Sequence, residues 1–118
     1  MARRRISRSD GEAAIAAWQA GDADRAATIR AVRYLLEELG ERAPGHSVEV
    51  RVPPAGVVQA IEGPRHTRGT PPNVVETTME VWLELATGVL TWPEALTSGR
   101  LIASGQRADL SGLLPLVG

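Results

Sequence analysis

Residues 81–117 read VWLELATGVLTWPEALTSGRLIASGQRADLSGLLPLV, and they change conformational period several times within one short span. Two capping-box patterns, Thr77 with Glu80 and Thr91 with Glu94, mark helix starts, because hydroxyl and carboxylate each satisfy a backbone N–H at the first turn. The first helix runs from Met79 to about Thr87 and stops at Gly88. The second runs from Trp92 to about Ser98 and stops at Gly99, a residue that enters the left-handed region without a Cβ penalty. RLIASG (100–105) then has the length and composition of a strand. Asp109 is placed to cap a final amphipathic segment whose Leu110, Leu113, Leu114 and Val117 share a helical face, with Pro115 limiting its length.

Upstream the period is two. HSVEVRV (46–52) alternates Val48, Val50 and Val52 with Glu49 and Arg51, a strand with one buried and one wet face. GVVQAI (56–61) is apolar on both faces except at Gln59 and reads as an interior strand, antiparallel to its neighbour across the Pro53-Pro54 turn region. NVVETT supplies a third short strand. Further back the period becomes helical: GEAAIAAWQAG, interrupted at Gly21, then a second helix capped by Asp22, with Ile29, Val32, Leu35, Leu36 and Leu39 as its apolar stripe and Gly40 and Pro44-Gly45 as its end.

A chain of 118 residues, 43% hydrophobic and 23% charged, is one domain's worth of core. The expected division is a basic flexible tail over 1–10 and a single domain over 11–118. Arg3, Arg4, Arg5 and Arg8 make that tail basic, a feature suited to transient contact with an anionic membrane surface. The rest of the chain is net acidic, which argues against a dedicated nucleic-acid module. No apolar run spans a bilayer and no signal peptide is apparent, so a cytoplasmic location is expected. The cysteine count of zero excludes disulfides, thiolate metal sites and thiol nucleophiles.

Catalytic motifs are absent: the two histidines, His46 and His66, belong to no metalloprotease, nucleophile-elbow or phosphate-loop pattern, and no metal or cofactor is expected. His66 stands in GPRHTRGTPP between Arg65 and Arg68. That loop has two readings. The guanidiniums can bind the carboxylate or phosphate of a ligand head group, or the loop braces itself, with Glu76 as a further ion partner.

The order of elements in residues 81–117, together with VEVRVPPAGVVQAIEGPRHTRGTPPNVVETT and AVRYLLEELGERAPG, resembles the sterol carrier protein-like family, and within it the small stand-alone actinobacterial group. The resemblance covers roughly residues 12 to 118. It implies an α/β (α+β) domain, with a mainly antiparallel sheet covered by helices and an apolar tunnel between the sheet and the last helices. It also implies noncatalytic binding or carriage of a fatty acyl, sterol or related lipid. On that resemblance Trp82, Leu83, Leu101, Leu110, Leu113 and Leu114 are the expected tunnel lining, and Arg65, His66 and Arg68 stand at its mouth or brace the loop. Two other readings stay open: a protein-interaction module with a filled core, and a small cofactorless enzyme using His66. Oligomeric state is not readable.

Overall fold

The alternation of Val48, Val50 and Val52 with Glu49 and Arg51 decides which side of the sheet is buried. In the computed structural model, which describes residues 5–63 and 73–117, this segment is strand β1 (Val48–Val52) of a four-stranded sheet. On one side of it lies β2 (Gly56–Ala60), antiparallel; on the other lies β3 (Val74–Thr77), parallel. β4 (Leu101–Ser104) pairs antiparallel with β3, giving the order β2-β1-β3-β4. The register sets Val58, Val50, Val75 and Ala103 in one row across the sheet, and Val57, Arg51, Glu76 and Ile102 in a row on the opposite face.

The first of these faces receives the helices. α1 (Arg8–Gln19) packs on α2 (Arg25–Arg42), α2 lies on β2 and touches α3 (Met79–Thr87), and α4 (Trp92–Thr97) sits beside β4. The core between them joins Val32, Leu35 and Leu39 of α2 to Val48, Val50 and Val52 of β1 and to Trp82, Leu83 and Leu85 of α3. Each fully buried side chain of this kind contributes about 1.5–3 kcal/mol. Trp82 carries a polar edge into this core and satisfies it by donating from Nε1 to the Val32 carbonyl at 3.3 Å.

Close approach of α2 to β2 depends on Gly40, which is buried inside the helix: a Cβ there would stand 3.0 Å from Val58 Cγ2. The helix therefore does not stop at Gly40, as expected, but continues to Arg42, and the packing offsets the roughly 1 kcal/mol that a mid-helix glycine costs. Its start also moves. Asp24, not Asp22, is the N-cap, accepting from the Ala27 N–H at 2.8 Å, because the Asp22 N–H closes the end of α1 on the Ala17 carbonyl. The cap of α3 is Thr78 rather than Thr77, whose hydroxyl stays in the sheet and donates to the Arg100 carbonyl at 2.9 Å.

Three larger expectations are corrected. β2 is an edge strand, not an interior one, and Val57 is 58% exposed on the face without helices. The segment after Asp109 forms turns, not a helix. Pro115 lacks an N–H and disfavours helical backbone at Leu114, so the chain instead donates from Leu116 and Val117 to the Ala86 carbonyl, at 2.9 and 3.0 Å. The first helix also starts earlier than expected, before residue 11. α1 begins at Arg8 because Ser7 caps it, its Oγ accepting from the Asp10 N–H, and Ile6 packs against the core.

No helix among the described residues is long and apolar enough to cross a membrane.

Candidate functional site

Two carboxylates brace turns beside a mainly apolar recess near the expected ligand region. Glu94 accepts from the Thr91 N–H at 3.0 Å and from its hydroxyl at 2.9 Å, while the Glu94 N–H donates back to Thr91 Oγ1, a reciprocal box that fixes Trp92 and Pro93 in the first turn of α4. Asp109 accepts from the Ser111 N–H at 2.9 Å and sets the turn that precedes Leu113 and Leu114. Both carboxyls are held below their ordinary range: Glu94 by the Thr91 backbone bond and then its hydroxyl, Asp109 by the Ser111 backbone bond and then its side chain.

Between these braces runs a groove of about 240 Å³, floored by Leu85 and Trp92 and walled by Leu90, Pro93, Leu114 and Pro115, with Thr91 and Ser111 contributing hydroxyls. Among the described residues no charged side chain lines it. Gly88 ends α3 at φ 85° and lies under Pro115, so the terminal segment crosses the helix end closely. The paired N–H groups of Leu116 and Val117 satisfy the Ala86 carbonyl, one of the last-turn carbonyls that a helix leaves without an internal partner.

The expected lining residues divide. Trp82, Leu83, Leu101 and Leu110 are buried members of the core. Leu113 and Leu114 are half-buried, and Leu114 reaches the groove. Arg65, His66 and Arg68 lie outside the described residues. Glu76, proposed above as a brace for that loop, points to Arg51 on the sheet face opposite the helices, 3.9 Å from a guanidinium nitrogen. Leu85, Leu90, Trp92 and Pro115 were missed as groove residues. They meet there through tertiary packing, for which no local pattern gives a signal.

Among the described residues the histidine and the buried serine are each engaged in a hydrogen bond. His46 Nδ1 is engaged by Gln59 Oε1 at 2.6 Å on the sheet edge, and the buried Ser47 hydroxyl donates to the Ile61 carbonyl at 2.7 Å. Among the described residues no group of three or more His, Cys, Asp or Glu side chains is arranged to hold a metal ion.

The described residues thus form an α+β domain whose sheet is covered by helices on one face, with a mainly apolar groove near the C-terminal segment. The chain belongs to the bacterial sterol carrier protein ortholog family, whose sequence model matches residues 24–116, from the cap of α2 to the residue that anchors on Ala86. α1 precedes the matched stretch. No curated protein matches the chain.

Proposed function

We propose that the protein binds a fatty acyl or sterol-like lipid without transforming it, and that the groove between α3, α4 and the 110–117 segment is where the apolar part of that lipid enters. The observation that carries this reading is an uncharged, mainly apolar groove in a member of a sterol carrier family. Ligand cavities commonly measure about 300–1,000 Å³, so a groove of about 240 Å³ takes part of a chain as it stands. Deeper entry moves the wall formed by Leu114 and Pro115, which two backbone hydrogen bonds hold to Ala86. Leu110, four residues before Leu114, is fully buried in the core, so the segment that walls the groove is anchored in the core at its other end.

Native mass spectrometry of gently purified protein tests the proposal. A stoichiometric noncovalent lipid that is released on denaturation, and whose loading falls in Leu114→Asp, is the expected result. Protein that stays unliganded after incubation with fatty acids, acyl-CoA and sterols overturns it.

A further inference from the structure

A second recess lies elsewhere, where α2, β2 and the Arg5–Ile6 segment meet. One cleft of about 330 Å³ is bounded by Arg5, Arg33, Leu36, Glu37 and the Gly56–Val58 stretch. A neighbouring cleft of about 350 Å³ shares Arg5, Arg33 and Glu37 and adds Ile6, Ile29 and Arg30. The two clefts adjoin along Arg5, Arg33 and Glu37, and together they make an amphipathic surface trough.

Its charge is unbalanced by construction. Arg30 and Arg33 are three apart on α2 and therefore project from the same side of the helix. Arg33 and Glu37 have the spacing of a helical ion pair, yet they do not form one. The Glu37 carboxylate instead accepts from the backbone N–H groups of Arg5 and Ile6, both at 3.4 Å. Neither Arg5, Arg30 nor Arg33 has a carboxylate partner among the described residues. The Arg33 stem runs over β2, where a Cβ on Gly56 would meet its Cγ at 3.9 Å, so the guanidinium stands on a packed hydrocarbon base above an apolar floor. Three guanidiniums facing one carboxylate, whose lone pairs are already partly used, favour an anion. The Ile6, Ile29 and Leu36 side chains beside them favour a hydrocarbon attached to it.

We propose that this trough binds an anionic amphiphile, with Arg5, Arg30 and Arg33 gripping its phosphate or carboxylate and Ile6, Ile29 and Leu36 taking the first part of its chain. The site is separate from the groove near Trp92 and does not depend on lipid binding there. It needs no catalytic step.

The test is an amide NMR titration of the full chain with dodecyl phosphate below its micelle concentration, beside dodecanol and inorganic phosphate. Dodecyl phosphate is expected to shift the amides of Gly56, Val57 and Val58 and to bind more tightly than either half-molecule. The exposed double variant Arg30→Ala/Arg33→Ala is expected to weaken it by roughly tenfold or more, because each charge-assisted bond to an anion is worth more than a neutral one. Leu114→Asp, which alters the other groove, is expected to leave this affinity unchanged. Raising the salt concentration should weaken binding, since exposed ionic contacts are screened. Equal affinity for dodecanol overturns the anion site, and equal affinity for inorganic phosphate overturns the amphiphile. Unchanged affinity in the double variant, or binding only to anionic vesicles and not to the monomeric probe, overturns the proposal as a whole.

Discussion

Gly11 of α1 offers a substitution whose sign depends on a single neighbour. It is buried against Tyr34 of α2, and a Cβ built there would stand 2.5 Å from Tyr34 Cε1 and closer still to Cγ and Cδ1. Carbon atoms in ordinary contact sit about 3.5–4.0 Å apart, so Gly11→Ala obliges the ring or the helix to retreat by about 1 Å or more. Overpacking of that size costs about 1–3 kcal/mol, while alanine in place of a mid-helix glycine returns about 0.5–1 kcal/mol. The expected net loss is about 0.5–2 kcal/mol, or a fall in Tm of roughly 2–8 °C for a domain of this size. In a Tyr34→Ala background the obstruction is gone and only the helix gain remains, so the same Gly11→Ala change becomes stabilising. Urea unfolding of the four proteins in this cycle measures both values. An equal effect in the two backgrounds, or stabilisation with Tyr34 present, refutes the reasoning that α1 is seated by this contact.

Asn73→Ala strands two backbone groups, because the buried Asn73 amide donates to the Ser47 carbonyl at 2.7 Å and accepts from the Arg107 N–H at 2.9 Å; urea unfolding should show a loss of about 2–4 kcal/mol. Leu101→Ala should cost about 2–5 kcal/mol and its neighbour Ile102→Ser less than about 0.5, since Leu101 is 5% exposed and Ile102 is 67% exposed. Glu94 and Asp109 should protonate below the ordinary carboxylate range, so their bracing is complete above that range and is lost as pH falls through their depressed folded values; the Thr91 and Ser111 amide shifts should follow these midpoints. Midpoints at or above ordinary carboxylate values would contradict the bonding described.

Local chemistry made some elements legible and left others ambiguous. The Thr91–Glu94 box and the glycines at 88 and 99 bounded α4 and the end of α3 correctly, because capping is settled within a few residues. The strict alternation of β1 likewise announced its buried face. β2 misled for a physical reason: a run apolar on both faces looks the same in the middle of a sheet and at its edge, and position in the sheet is set by where β3 inserts. The parallel pairing of β3 with β1 is likewise a matter of topology that no residue pattern encodes. In the terminal segment the helical spacing of Leu110, Leu113, Leu114 and Val117 was genuine but outweighed by Pro115. The groove was only partly visible, since Leu114 belongs to that stripe whereas Leu85, Leu90 and Trp92 meet it through tertiary packing. The Arg5 trough escaped notice because its walls come from three separate parts of the chain.

The sheet face without helices has a bearing on how the molecule behaves in a crowded solution. Its middle strands carry Arg51 in ionic contact with both Glu49 and Glu76, with Val57 and Ile102 standing outside them on the two edge strands. A second sheet laid flat against it would have to strip water from three ionic groups before the flanking aliphatic side chains could touch, and that dehydration outweighs what two exposed side chains return. The ionic stripe thus disfavours face-to-face stacking of this sheet on another. Exchanging those three side chains for β-branched apolar ones would turn the same surface into an adhesive plate and its solubility into a function of concentration.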